Sequence, residues 1–80
     1  MFILSQDKKK FADYRKVYVS QKYKGKKSTK VFIFGVSTSW ADAFDTDMVL
    51  GCYENEETAI KELENICTAM RNGESAYAVN

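Results

Sequence analysis

The chain has 80 residues, of which 45% are hydrophobic and 29% are charged, and 12 basic against 11 acidic side chains give a net charge of +1. This balance is typical of one small globular domain and excludes a disordered tail or a fibrous repeat. No apolar run approaches the roughly 20 residues that span a bilayer. The opening apolar run stops at Ser5, so we expect no secretory signal, no membrane contact and a cytoplasmic location.

Four strands are predicted before a helix and one after it. The run from Val31 to Phe34 is apolar without alternation, which predicts a central strand covered on both faces. Gly35 in the same run predicts a bulge or a close approach of another group. The predicted strands are residues 2–5, Phe11–Ser20, Thr29–Thr38, Asp47–Tyr53 and Ser75–Val79, with a lysine-rich turn at Lys22–Ser28 and a polar connection at Ser39–Thr46.

One amphipathic helix is predicted between Asn55, a good N-cap, and Gly73, a natural residue just past a helix end. Glu56 and Glu57 place negative charge at the positive end of the helix dipole. The stripe expected to face the core is Ala59, Leu63, Ile66 and Met70, widened by Ile60 and Cys67. The order β-β-β-β-α-β predicts an α+β fold, an antiparallel sheet of four to five strands with one helix packed on a face.

Catalysis and metal binding find little support in the residue types. The chain contains no histidine, which excludes His-based catalysis and Cys₂His₂ zinc sites, and it carries no glycine-rich phosphate loop. Cys52 and Cys67 are expected to be small buried apolar residues, although a disulfide between them stays open. The aspartates at Asp45 and Asp47 lack the spacing of a calcium loop. We therefore expect no enzyme, no cofactor and no bound metal.

Two segments of the chain, Phe2 to Lys8 (F-I-L-S-Q-D-K) and Leu50 to Ile66 (L-G-C-Y, a polar turn and an E-E-T-A-I helix), carry a resemblance. They resemble a set of small proteins of low-GC Gram-positive bacteria and of their phages and mobile elements. The resemblance implies a non-enzymatic accessory protein, and it carries over no catalytic residue. Small phage proteins of this size often bind one host protein, which implies an inhibitor of a host defence enzyme, similar to an anti-CRISPR protein and acting on a host nuclease.

The charges are divided unevenly along the chain. Residues 1–30 hold ten basic and two acidic side chains, whereas residues 31–80 hold two basic and nine acidic ones. If the two parts do not interleave in space, the molecule has a basic end and an acidic end, and such fields steer partners.

The acidic part predicts a protein-binding surface, with two aromatic anchors rimmed by carboxylates. The competing interpretation packs both aromatic rings beneath the connection and leaves the glutamates as an ordinary solvated helix face. The residues predicted to bind a protein partner are Trp40, Asp42, Phe44, Asp45, Asp47, Glu54 and Glu57.

The basic part predicts, as the alternative function, a nucleic-acid-binding hairpin, because interleaved lysines and an aromatic ring can hold a phosphate backbone and stack a base. The competing interpretation is a solvated lysine loop that protects a sheet edge from aggregation. The residues of this alternative site are Lys22, Tyr23, Lys24, Lys26, Lys27 and Lys30. The sequence does not predict an oligomeric state.

Overall fold

The computed structural model of the chain describes residues 1–23, 26–37 and 48–80, with the backbone alone of Tyr23 and Ser37. These ranges form five strands and one helix, which confirms the expected α+β fold and its element order. The elements are β1 (Phe2–Leu4), β2 (Phe11–Tyr23), β3 (Lys26–Ser37), β4 (Met48–Tyr53), α1 (Glu56–Arg71) and β5 (Ala76–Ala78).

The five strands form one sheet in the order β4-β3-β2-β1-β5. Three neighbouring pairs are antiparallel, as expected for strands joined by short connections, and the pair of β1 and β5 is parallel. The parallel pair has a topological cause. The connection through α1 carries the chain from β4, at one edge of the sheet, to the far side of β1, and a crossover of that length permits a parallel approach.

A bulge at Arg15 decides which β2 side chains face the helix. Tyr14 lies opposite Ser37 and Lys16 lies opposite Val36, so Arg15 is the extra residue. Tyr14 lies in the core before the bulge, and Val17 and Val19 pack against the core after it. The other side of the sheet, called the outer face below, carries side chains of alternating residues that include Phe2, Phe11, Asp13, Lys16, Tyr18 and Phe32.

The helix has the predicted ends but a different buried face. The Asn55 side chain caps α1 by accepting a hydrogen bond from the Thr58 amide at 2.8 Å, and Gly73 has the positive φ of +73° expected after a helix end. The residues of α1 that are buried are Ala59, Glu62, Ile66 and Ala69. The predicted stripe was therefore wrong at Ile60, Cys67 and Met70, which are exposed, and Leu63 is half-buried.

The displacement of this buried face has a physical reason in Glu62. Its carboxylate accepts hydrogen bonds from the Tyr77 hydroxyl at 2.8 Å, the Asn80 amide at 2.9 Å and the Asn65 side chain at 3.0 Å. These bonds compensate the cost of burying a carboxylate, and the small side chains of Ala59 and Ala69 let α1 approach the sheet. Burial alone would raise the pKa of Glu62, but the hydrogen bonds outweigh it and hold that pKa below its ordinary value.

Gln6, which lies just after β1, forms hydrogen bonds to the edge strand β4 and so closes the sheet. In a flat sheet β1 and β4 would lie about 14 Å apart, because β2 and β3 separate them. The Gln6 amide nevertheless donates to the Leu50 carbonyl at 2.7 Å, and its side-chain oxygen accepts from the Cys52 amide at 2.9 Å. The sheet is therefore curled, and Gln6 occupies hydrogen-bonding groups of the edge strand β4 that would otherwise face solvent.

Asn80 also bonds to the residues that close the sheet. The Asn80 carbonyl accepts hydrogen bonds from the Gln6 side chain at 3.2 Å and from the Tyr53 hydroxyl at 2.8 Å. Burial raises the pKa of Tyr53 to about 12, and burial with the bond to Glu62 raises the pKa of Tyr77 to about 12. We call this set the closing network; its residues are Gln6, Leu50, Cys52, Tyr53, Glu62, Tyr77 and Asn80.

The turn before β2 is built from Ser5 and Asp7. Ser5 is buried, donates its hydroxyl to the Asp7 carboxylate and accepts a bond from the Lys10 amide. The Ser5 hydroxyl and the Lys9 amide lower the pKa of Asp7 to about 2. Lys8 takes a positive φ of 64° within this turn. The S-Q-D-K segment is thus a structural turn that delivers Gln6 to β4.

Two glycines of the sheet make room for core side chains. A Cβ at Gly35 would lie 2.7 Å from Leu50 and 2.8 Å from Tyr14, which confirms the predicted close approach at that position. A Cβ at Gly51 would lie 2.6 Å from the Tyr53 hydroxyl. That hydroxyl bonds Asn80, so the absence of a side chain at Gly51 leaves the space that this bond of the closing network needs.

Cys52 and Cys67 are both exposed free thiols, so the expectation that they are buried was wrong. Cys52 lies opposite Phe32 on the edge strand β4, which points its side chain to the outer face. Cys67 lies on α1 outside its buried face. The two thiols therefore lie on different layers of the molecule and do not pair.

Candidate functional site

The predicted acidic surface is only partly within the described residues. Glu54 and Glu57 are exposed where β4 leads into α1. Five of the seven predicted partner-binding residues lie outside the described ranges and stay predictions: Trp40, Asp42, Phe44, Asp45 and Asp47.

The predicted basic hairpin is formed by the ends of β2 and β3. Lys22 pairs in register with Lys27, and Tyr23 pairs with Lys26. Lys22, Lys26 and Lys27 are exposed, and none of them forms an ion pair with another described residue. Lys24 lies outside the described ranges.

Within the described residues, one ion pair joins the two predicted surfaces. Lys30, from the basic set, donates a hydrogen bond to Glu54, from the acidic set. That hydrogen bond raises the pKa of Lys30 above its ordinary value. Lys30 and Glu54 therefore neutralise each other in part, and neither is the strongest candidate for binding a partner.

Elsewhere in the described ranges, the charges divide between the two layers of the fold. The β1–β2 turn, β2 and the start of β3 carry lysines at positions 8, 9, 10, 16, 22, 26 and 27. The segment that leads into α1, together with α1 itself, carries glutamates at positions 54, 56, 57, 62 and 64, with Lys61 and Arg71 as its cations. Among the described residues the sheet layer is therefore mainly basic, with Asp7 and Asp13 as acidic residues of the β1–β2 turn and β2, and the helix layer is mainly acidic.

The helix also presents an apolar stripe that the sequence analysis assigned to the core. We call Ile60, Leu63, Cys67 and Met70 the flank stripe. Ile60 is 41% exposed and Met70 is 53% exposed. At 3.6 residues per turn, the stripe is centred about 100° around the helix from the buried face. The same spacing repeats in both sets, at i, i+3, i+7 and i+10, so periodicity alone does not decide which of the two sets is buried.

A second exposed apolar feature lies on the outer face of the sheet. The rings of Phe2 and Phe11 stack with centroids 5.3 Å apart and an interplanar angle of 17°. Phe2 is 46% exposed and Phe11 is 58% exposed. From the sequence, both residues were predicted only as parts of strands. The three lysines directly before Phe11 were the signal that could have marked this pair as a candidate for binding.

Other kinds of site receive no support from the described residues. No group of three or more Cys, Asp and Glu residues in residues 1–23, 26–37 and 48–80 could hold a metal ion. In these same ranges, α1 is too short and too polar to cross a membrane.

A scan against family models and searches of curated proteins and of solved structures found no match to this chain. The resemblance carried by the S-Q-D-K and L-G-C-Y segments therefore stays an expectation. In the structure these two segments contact each other through Gln6, Leu50 and Cys52, so their residues have a role in folding that needs no shared activity.

Proposed function

We propose that this chain is a non-catalytic protein-binding module whose partner docks on the acidic helix layer. The observation that carries the proposal is the flank stripe, an apolar row on α1 that the sheet does not cover, with Ile60 and Met70 each more than a third exposed. A lone exposed apolar residue is ordinary, whereas a row at helical spacing with charged neighbours is typical of a docking surface.

The charges beside the stripe indicate the chemistry of the partner. Glu56 and Glu57 lie in the first turn of α1, and Glu64 follows Leu63. A partner segment that places apolar side chains on the stripe and cations opposite these glutamates would match both features, as an amphipathic basic helix does. Trp40, Asp42, Phe44, Asp45 and Asp47 stay predicted contacts of the same partner. The resemblance suggests that the partner is a host defence enzyme.

The experiment begins with a tagged pull-down from the host and identification of the captured protein by mass spectrometry. The affinity of that protein is then measured by calorimetry for the wild type and for Ile60→Ala with Met70→Ala. Both truncated side chains are exposed, so we expect the melting temperature to change little. We expect the affinity to fall at least tenfold, because truncated anchors at an interface centre typically cost more than about 1 kcal/mol each.

The matched control is Lys22→Ala with Lys26→Ala, on the basic layer, which we expect to bind the partner as tightly as the wild type. Undiminished affinity of the Ile60 and Met70 variant for the captured protein would contradict the proposal. An equal loss from the lysine variant would also contradict it, because binding would then involve the opposite layer.

A further inference from the structure

The outer face of the sheet holds a feature that the proposed function does not use. The Phe2 and Phe11 side chains project from adjacent strands, since Leu4 pairs with Phe11 and Phe2 pairs with Asp13 in the β1–β2 register. Their rings lie nearly parallel and are about half exposed. The two rings cover part of each other, and the ring surface that stays exposed is what we call the platform. A planar base can continue such a stack without regard to its sequence.

The platform lies in a surplus of positive charge. Lys8, Lys9 and Lys10 directly precede Phe11, and Lys16 lies further along β2 on the same face. The Lys16 ammonium lies 5.4 Å from the ring centroid of Tyr18, so this face also carries an aromatic ring with a cation beside it.

The carboxylates of this region are already engaged. Asp7 pairs with Lys10 at 3.4 Å, and Asp13 pairs with the amino group of Met1 at 3.0 Å. Lys8, Lys9 and Lys16 form no ion pair with any residue of the described ranges. The field around the platform is therefore positive and suits a polyanion better than an apolar peptide.

We infer that this end of the outer face binds single-stranded nucleic acid, with a base on the Phe2–Phe11 platform and phosphates along Lys8, Lys9 and Lys16. Exposed base faces are available in a single strand and hidden in a duplex, so the platform favours the single strand. Lysines bind phosphate as point charges and read no bases, so the binding is independent of sequence. The hairpin lysines Lys22, Lys26 and Lys27 lie at the other end of β2 and would extend the path of a longer strand.

Fluorescence anisotropy tests the inference, with a fluorescein-labelled oligothymidylate of about 15 nucleotides titrated at about 50 and about 200 mM salt. We expect Phe11→Ala to weaken binding at least fivefold at both salt concentrations, because stacking on an aromatic ring is only weakly screened. We expect Lys16→Gln to weaken binding at low salt and to reduce the slope of log affinity against log salt by about 0.7, the loss of one phosphate contact.

Matched controls lie on the helix layer. Met70→Ala removes an exposed apolar side chain and Lys61→Gln removes an exposed lysine, and both should bind the oligonucleotide like the wild type. A melting temperature within a few degrees of wild type for Phe11→Ala keeps its result interpretable, and Phe11→Leu, which keeps the apolar bulk without a ring face, provides a second reading with the same expected loss.

Three results would overturn the inference: no binding by the wild type at low salt, undiminished binding by Phe11→Ala and Phe11→Leu, or equally tight binding of the labelled strand after it is annealed to its complement. Loss of the pulled-down protein partner from Phe11→Ala, with no oligonucleotide binding by the wild type, would assign the face to a protein instead. The oligonucleotide results do not bear on the flank stripe, whose variants lie on the other layer, whereas loss of the captured protein from Phe11→Ala would count against the proposed docking on the helix.

Discussion

The closing network and the charged surfaces differ in how their polar groups are partnered. In the closing network, Gln6, Glu62 and Asn80 each make two or more hydrogen bonds within the chain. No buried side-chain nitrogen or oxygen of the described ranges is without a partner. By contrast, most described lysines of the sheet layer and most glutamates of the helix layer make no ion pair with a described residue.

Polar groups that bond within the chain therefore belong to the fold, whereas charged groups without such bonds are candidates for binding. The S-Q-D-K and L-G-C-Y segments are the most recognisable stretches of the sequence, and the side chains of Ser5, Gln6, Asp7 and Tyr53 in them make hydrogen bonds within the chain. A buried polar group without a partner would cost about 1–3 kcal/mol, so these residues are constrained by folding. The exposed lysines and glutamates contribute little to stability, which leaves them available for partners.

Among substitutions that affect the closing network, we expect Gly51→Ala to cause the largest loss of stability. The new Cβ would lie 2.6 Å from the Tyr53 hydroxyl and 2.8 Å from its ring, so the ring must shift, which displaces the hydroxyl that bonds Asn80. We expect the free energy of unfolding, measured in urea, to fall by about 3 kcal/mol. Gly73→Ala is the control, because its Cβ meets nothing within 4 Å and only its positive φ should cost about 1 kcal/mol. Equal losses would contradict the packing role of Gly51.

Gln6→Ala tests whether the Gln6 side chain stabilises the edge strand β4. It removes the side-chain bonds to the Cys52 amide and the Asn80 carbonyl, and we expect a loss of about 2 kcal/mol. Hydrogen exchange should report the Cys52 amide as newly unprotected. Gln21→Ala, at a half-buried position of β2, should change stability by less than about 0.5 kcal/mol. A Cys52 amide that keeps its protection in Gln6→Ala would show that Gln6 does not close the sheet.

The pH dependence of stability provides a third, smaller test. The pKa values of Glu62 and Asp7 are lowered in the folded chain, so their contributions are present above the ordinary carboxyl range and are lost as the pH falls below it. The pKa values of Tyr53 and Tyr77 are raised to about 12, so their contributions are lost as the pH rises above about 10. We expect the urea midpoint to be level between these limits and to fall on both sides. A midpoint that rises on acidification would contradict this account.

The sequence predicted the elements of this fold because each has a local signal. The Asn55 cap, the glycine after α1 and the β-branched runs act through neighbouring residues, and the structure confirms them. The buried face of α1 depends instead on distant groups, since Tyr77 and Asn80 draw Glu62 inward. A glutamate at a core position has no local signal, and neither does the contact of Gln6 with Leu50.

The candidate surfaces were predictable to a smaller extent. The division of charge between the sheet and helix layers was visible in the sequence, because each layer is nearly continuous along the chain. The flank stripe and the Phe2–Phe11 platform were not found, since an apolar residue in a strand or helix is ordinarily a core residue. Which side of an element faces solvent is decided by bulges such as the one at Arg15, and sequence periodicity does not reveal them.

Two glutamates of α1, five positions apart, test the division between closure and surface most directly. Glu62→Gln and Glu57→Gln make the same chemical change at a buried position and at an exposed one. With urea unfolding and partner affinity measured for both, the account predicts that Glu62→Gln loses about 1–2 kcal/mol of stability and keeps its partner. It predicts that Glu57→Gln keeps its stability within about 0.5 kcal/mol and binds the partner more weakly. The reverse assignment, or both losses in one variant, would contradict it.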